Sequence, residues 1–179
     1  ITLPMNEYPA ENIKHRLDKH YECGGGPASN GAYLLAKWGM DTTIMSVLGE
    51  DYYADKIIES FEEIGADTRY LEKRSDHATS SSYIIANMSN GSRTVLTSKK
   101  PPIRKLSIDT SVNADLILVD GEHPETALQV LLENPNAISV IDAGRLNPDT
   151  KMLGKLVTYL VCSKDFAEEF SNKKIDVTN

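Results

Sequence analysis

The stretch YECGGGPASNGAYLLAKWG, residues 21–39, joins three glycines and a proline to an apolar segment with helical spacing. Gly39 follows the last apolar residue, at a position where glycine commonly ends a helix. A glycine-rich turn before a helix offers free backbone N–H groups and the positive end of the helix dipole, which suit phosphate, carboxylate or sugar hydroxyls. A tight turn between a strand and a helix explains the glycines equally well. These residues alone leave both interpretations open.

The rest of the chain alternates between strand and helix patterns. Residues 42–49 predict a buried strand, and residues 50–65 predict an amphipathic helix that ends at Gly65. Later apolar runs have almost no polar interruption, which is typical of buried parallel strands; they cover residues 114–121, 137–144 and 157–162, with helices between and after them. The pattern predicts an α/β fold with a doubly wound, mostly parallel sheet that could continue beyond Asn179.

A β-rich segment interrupts this alternation. Residues 80–98 form two strand-like runs around Asn90-Gly91, a strong hairpin signal. We expect this hairpin to form a small separate sheet with strands at residues 1–5 and 15–23. The predicted organisation is therefore a β lid made of these three segments, inserted into an α/β domain that covers residues 24–79 and 99–179.

Composition excludes several classes of function. The chain has 19 Lys and Arg against 26 Asp and Glu, a formal charge of −7, and no basic cluster, which argues against nucleic acid as a partner. Two cysteines are too few for a disulfide scaffold or a zinc site, and they favour a reducing compartment. No apolar run approaches the roughly 20 residues of a membrane span.

The glycine loop matches neither of the two common nucleotide-binding motifs. No Gly-Lys-Ser/Thr follows it, and the G-x-G-x-x-G spacing is absent. The spacing instead resembles the N-terminal signature of the ribokinase-like sugar kinases, the phosphofructokinase-B family; the matching positions are Gly25, Gly26, Ala28, Asn30, Ala32, Gly39 and Gly49. Within that family, NEYP (6–9), TSSSYIIANMSNGSRT (79–94) and CSKDFAEEF (162–170) are most similar to ketohexokinases and fructokinase-type members.

The resemblance implies a set of site residues. Gly25 and Gly26 would lie beside the bound sugar, and Asn30 would hydrogen-bond its hydroxyls, since an amide can both donate and accept. Asn12 falls where ketohexokinase-like members place another polar contact. Arg93 would steady phosphate charge, or is a solvated arginine of the lid. Asp165 would assist a metal without binding it directly, or simply favours the start of a helix.

The resemblance also implies a reaction. The γ-phosphoryl group of ATP, with Mg²⁺, would pass to a hydroxyl of a small sugar, with a fructose-like ketose favoured and the lid excluding water. Lids of this kind often pair between two subunits, which implies a homodimer. The expected location is the cytoplasm, a reducing compartment that suits free cysteines. Pro27 departs from the family pattern, because many members carry a polar residue there. The Asn-x-x-Glu that organises Mg²⁺ is also absent, and residues 163–166 take its place.

The family's catalytic aspartate belongs to a late Gly-Ala-Gly-Asp motif, which we expect beyond Asn179. Its sugar-binding aspartate would fall just before Ile1. The resemblance therefore implies the N-terminal part of a longer kinase, truncated at both ends and inactive by itself.

Other interpretations remain open at this point. One alternative is a non-catalytic sugar-binding or regulatory relative, and a weaker one is an unrelated nucleotide-binding α/β domain. Asp120, Asp142 and Arg145 stand at strand ends, where they would face a ligand cleft or form structural contacts. The four histidines, which include His123, are scattered without ligand spacing, so we expect them on the surface or the lid.

Overall fold

A computed structural model describes residues 1–98 and 101–176. Strands and helices alternate through most of this part of the chain, as predicted. In chain order the elements are β1 (Thr2–Met5), α1 (Pro27–Lys37), β2 (Thr43–Gly49), α2 (Tyr52–Glu62), β3 (Asp67–Arg74), β4 (Ser81–Asn87), β5 (Arg93–Ser98), β6 (Leu116–Val119), α3 (Pro124–Glu133), β7 (Ile138–Ala143), α4 (Pro148–Leu153), β8 (Tyr159–Cys162) and α5 (Lys164–Ser171).

The strands of the α/β part pair in parallel. Strand β2 pairs with β3, and β6, β7 and β8 form a second sheet in that order. The prediction of a mostly parallel α/β fold is therefore confirmed. Strand β3 was not predicted, because its sequence DTRYLEKR is largely polar and only Leu71 is fully buried.

Each parallel sheet has its own apolar core. One face of β6–β7–β8 is covered by α3, α4 and α5, which bury Ile141, Leu153 and Phe166 almost completely. The second core lies between β2–β3 and the helices α1 and α2, with Phe61 at its centre. Helix α1 packs against both β2 and β6 and so links the two sheets.

A small sheet contains β1, β4 and β5. Strand β1 runs parallel to β4, and β4 and β5 form the antiparallel hairpin predicted around Asn90-Gly91. The expected strand at residues 15–23 is wrong. Only Tyr21 bridges to Thr2, through N···O distances of 2.8 and 3.0 Å, and residues 15–23 are exposed. A strand that buries no side chains and has almost no ladder is not stable. The division into lid and α/β domain stays a prediction.

The helices of the described residues are short. None within residues 1–98 and 101–176 combines the length and the apolarity that crossing a membrane requires.

Candidate functional site

Of the three glycines before α1, only Gly26 is required by its backbone conformation. Gly26 has φ 110° and ψ 146°, a conformation that side-chain-bearing residues rarely adopt. Gly24 and Gly25 have no such value of φ, and a Cβ at either position would meet no atom within 4 Å. Protein contacts therefore do not explain glycine at these two positions. The space beside them is open to a ligand.

The first turn of α1 presents a free polar side chain next to this space. Pro27 begins the helix, and the backbone N–H of Asn30 donates to Gly26 O at 2.8 Å. The Asn30 side chain is exposed, and its amide has no hydrogen-bond partner within residues 1–98 and 101–176. A bound hydroxyl could therefore both donate to and accept from it.

Asp120 closes the N-terminal end of α1 from a distant part of the chain. It follows β6, and its Oδ2 accepts a hydrogen bond from the backbone N–H of Ala28 at 3.2 Å. Its Oδ1 accepts from the N–H of Glu122 at 3.1 Å. Sequence reasoning left Asp120 undecided between cleft and structural roles. The structure places it beside the glycine loop, in direct contact with the helix that carries Asn30.

A second aspartate ties the end of β2 to the segment that leads into the small sheet. Asp51 accepts hydrogen bonds from the N–H groups of Ala54 at 3.0 Å and Thr79 at 2.8 Å, so it caps α2. Gly49 N–H donates to Thr79 Oγ1 at 2.9 Å. A Cβ at Gly49 would lie closer than 3.0 Å to Asp51, to His77 O and to Thr79 N, so only glycine fits.

The Asp51 carboxylate is stabilised by these contacts. Burial acts to raise its pKa, but the hydrogen bonds from Thr79 and Ala54 outweigh burial and hold the pKa below its ordinary value. The pair of Asp51 and Thr79 therefore depends on the ionised carboxylate.

His123 links three parts of the chain, which corrects the expectation of a surface or lid histidine. Its Nδ1 lies 2.7 Å from Ile103 O, and its Nε2 lies 3.3 Å from Val47 N and 3.2 Å from Ser46 Oγ. A carbonyl can only accept and an amide N–H can only donate, so the partners assign the proton to Nδ1. The half-buried imidazole thus holds β2 against the segment after the small sheet.

That segment, residues 103–108, is fastened by further side chains that sequence reasoning missed. Arg104 contacts Glu125 at 2.8 Å and forms a two-bond contact with Asp149 at 2.9 and 2.8 Å. On the other side, Glu72 accepts from the N–H of Ser107 at 2.6 Å. Residues 103–108 are therefore held by side chains of α3, α4 and β3.

The remaining predicted site residues lie apart from the glycine loop. Asn12 has φ 60° in an exposed segment, and Arg93 is the exposed first residue of β5. Arg93 lies on β5, at the opposite edge of the small sheet from the bridge between Tyr21 and Thr2. Asp165 is exposed in the first turn of α5, behind the helix cap Ser163. In the described part of the chain, no hydrogen bond or ion pair joins Asn12, Arg93 or Asp165 to the loop.

The fold combines parallel sheets covered by helices with a glycine loop before the first helix and a small separate sheet. This combination is that of a distinct class of α/β protein. The description "pfkB family carbohydrate kinase" matches residues 6–178. This chain belongs to that family, as the motif spacing predicted.

Relatives of known name agree with this assignment. The chain is 28% identical to a ribokinase of Staphylococcus aureus over 154 residues, which cover 83% of this chain and 49% of the relative. It is 32% identical to the ketohexokinase of Mus musculus over 92 residues, 51% of this chain and 31% of the relative. The chain spans about half or less of the length of these curated relatives.

A solved structure shows the same fold. The ribokinase of Arabidopsis thaliana, complexed with ribose and ATP, superposes with a TM-score of 0.75 at 15% identity, over 98% of this chain and 60% of that one. The ribokinase-like fold predicted from the sequence is therefore confirmed.

Proposed function

We propose that this chain supplies the sugar-binding side of an ATP-dependent sugar kinase, which transfers the γ-phosphoryl group to a hydroxyl of a fructose-like ketose. The observation that carries the proposal is the open space beside Gly24 and Gly25, next to the unpartnered Asn30 side chain. Membership of the pfkB family supports a sugar as the ligand of that space. The identity with a ketohexokinase supports a ketose.

The site residues follow from this arrangement. Gly25 and Gly26 bring backbone close to the sugar without side chains, and Asn30 hydrogen-bonds its hydroxyls. Asp120 holds the N-terminal turn of α1 in place through Ala28. Asn12 belongs to the exposed segment between β1 and Tyr21, and its contact with the sugar requires that segment to fold over the loop.

The residues proposed to act on the phosphate groups lie further from the glycine loop. ATP is the phosphoryl donor, as the name of the Arabidopsis ribokinase complex supports. Arg93 and Asp165 would act on the phosphate groups, and the transfer also requires a carboxylate that accepts the hydroxyl proton. Mg²⁺ neutralises phosphate charge in such transfers. Within residues 1–98 and 101–176, no three or more His, Cys, Asp or Glu side chains group together so that they could hold a metal ion.

We further propose a homodimer and a cytoplasmic location for the protein. The small sheet exposes Tyr83 and Leu96, which lie opposite each other on one face, and pairing of two such faces would bury these side chains in a homodimer. A monomer in light scattering at high concentration would contradict this dimer. Both cysteines are free thiols, which suits a cytoplasmic protein.

The test is an ADP-release assay on the natural gene product that contains this chain, with ATP, Mg²⁺ and a panel of ketoses, aldoses, nucleosides and phosphosugars. Turnover with a ketose is the expected result. Turnover with another sugar would support the kinase activity but change the sugar proposed as the acceptor. Sugar binding without any turnover would favour the non-catalytic relative, and neither binding nor turnover would overturn the proposal.

A further inference from the structure

We infer that His123 is a positioning residue of the proposed kinase, which sets the orientation of the small sheet relative to the glycine loop. The inference rests on the proposed function and on the small sheet acting as the lid. It gives His123 a role in keeping water away from the phosphoryl group, in addition to its contribution to stability.

The small sheet has little packing of its own against the α/β part. Within residues 1–98 and 101–176, its strands β1, β4 and β5 share extensive packing only with one another. Three connections join these strands to the α/β part. Residues 6–26 are almost entirely exposed, whereas residues 75–80 and residues 103–108 each contain a buried side chain. The orientation of the small sheet therefore depends on the last two connections.

Both of these connections are fastened to the same edge of β2. On one side, Gly49 N–H donates to Thr79 Oγ1 at 2.9 Å. On the other, Val47 N–H donates to His123 Nε2 at 3.3 Å, and His123 Nδ1 donates to Ile103 O at 2.7 Å. Amides two residues apart point to the same side of a strand, so the two anchors lie roughly 6–7 Å apart on the edge that does not pair with β3.

The two anchors differ in how they are built. The anchor at Thr79 is direct, and Asp51 reinforces it by accepting the Thr79 N–H at 2.8 Å. The other anchor depends on the single side chain of His123. Arg104 and Ser107 hold the following residues to α3, α4 and β3. In the described part of the chain, the imidazole is therefore the side chain that ties this connection to β2.

The turn that carries this imidazole, residues 120–123, also contacts the helix after the glycine loop. Asp120 Oδ2 accepts a hydrogen bond from the backbone N–H of Ala28 at 3.2 Å. The turn is tightly packed, because Gly121 has φ 86° and a Cβ there would lie closer than 3.0 Å to Thr150. A displacement of the small sheet is therefore passed through the imidazole and this turn to the helix that carries the proposed sugar contact.

The chemical consequence concerns water. When the small sheet is not held over the sugar, a water molecule can replace the sugar hydroxyl as the acceptor. The bond between the γ-phosphorus and ADP then breaks as a bond to the water oxygen forms, and the water releases one proton to solvent. The products are ADP and inorganic phosphate instead of ADP and sugar phosphate. Loss of the His123 anchor should therefore raise the share of hydrolysis.

Two variants of the natural gene product each remove one half of the anchor. The amide of asparagine lies where Nδ1 lies in histidine, and the amide of glutamine lies where Nε2 lies. His123→Asn thus retains a donor for Ile103 O and loses the acceptor for Val47 N–H, and His123→Gln does the reverse. At saturating sugar, the ratio of inorganic phosphate released to sugar phosphate formed should rise at least about fivefold over wild type in both variants.

Val130→Ala is the control for a purely structural role. Val130 is buried in the core under α3 and belongs to neither connection, so the variant is destabilised without changing the anchor. Unfolded protein forms neither product, so the measured ratio does not depend on the folded fraction. The ratio of Val130→Ala should equal that of wild type.

The outcomes separate the inference from the proposed function. An unchanged ratio in either folded His123 variant would overturn the inference while the kinase stands. Neither turnover nor binding of any sugar by wild type would overturn the proposed function itself.

A measurement on wild type decides if neither variant folds, or if the protein binds its sugar without turnover. Closure of the small sheet should fasten His123 onto β2, so hydrogen exchange of the Val47 amide should slow at least about fivefold when the sugar binds. An unchanged or faster exchange would overturn the inference.

Discussion

Gly31 of α1 and Leu118 of β6 approach each other so closely that a Cβ at position 31 would lie under 3.0 Å from Leu118 Cδ2. Glycine inside a helix costs roughly 0.5–1 kcal/mol relative to alanine. Its presence here is explained by packing, because it lets α1 contact the sheet directly. The same approach joins the glycine loop at the start of α1 to Asp120 at the end of β6.

Gly31→Ala should lower the free energy of unfolding by about 1 kcal/mol. Overpacking a tight contact costs about 1–3 kcal/mol, and the gain in helix propensity returns at most about 1 kcal/mol. Urea unfolding of the chain measures the difference.

The matched control shortens the opposing side chain. In a Leu118→Val background the clashing methyl group is gone, so Gly31→Ala should stabilise the protein by about 0.5 kcal/mol. Stabilisation by Gly31→Ala in the wild-type background would show that the contact is looser than described.

Much of the fold follows from local sequence, and particular residues show why the rest does not. Strands β6, β7 and β8 are apolar runs bounded by helix signals, so their type is predictable. Strand β3 is stabilised by pairing with β2 and by the single buried side chain of Leu71, so its own residues carry little signal. Residues 15–23 were predicted as a strand from their loose alternation. Among the described residues, this segment pairs with a strand only through the bridge to Thr2.

Some residues of the candidate site could likewise be predicted from local sequence, and others could not. Gly26 and Asn30 belong to one local motif, and their relation is visible in the sequence. Asp120 contacts Ala28 across 92 positions of the chain, and His123 contacts Val47 across 76. The sequence separation of neither pair forms a recognisable motif, because these residues meet only when the two sheets assemble around α1.

The hydrogen bonds that Asp51 accepts should make the free energy of unfolding depend on pH. Its pKa is lowered in the folded protein, because the amide hydrogen bonds outweigh burial. Below about pH 4, the ordinary range of aspartate, the unfolded chain therefore binds more protons than the folded one. The stabilisation is present above that range and is lost as the pH falls through the folded pKa. The unfolding free energy of wild type should approach that of Asp51→Asn as the pH is lowered from 6 to about 3.

Asp76→Asn is the control for this titration, because Asp76 is exposed and has no contact within the described residues. Its difference from wild type should stay nearly constant over the same pH range. A difference between wild type and Asp51→Asn that grew toward low pH would contradict the assigned hydrogen bonds.

Asn30→Ala should weaken sugar binding by about 1–3 kcal/mol, through lost hydrogen bonds and hydroxyls left without a partner. Calorimetric titration of the natural gene product with its sugar measures the change. Asn113→Ala is the matched control, since Asn113 is also exposed and unpartnered in the described part of the chain but lies outside α1. An unchanged affinity in folded Asn30→Ala would remove Asn30 from the site.

His123→Asn should lower the free energy of unfolding by about 1–3 kcal/mol, because the shorter side chain cannot reach both Ile103 O and Val47 N and leaves polar backbone groups unpaired. Asparagine tolerates the left-handed φ of 46° at this position, so the substitution tests the imidazole contacts rather than the backbone. His77→Asn is the control, since the His77 side chain has no partner among the described residues, and it should change stability little. Nitrogen NMR at neutral pH should find the His123 proton on Nδ1; a proton on Nε2 would contradict the described bond from Val47.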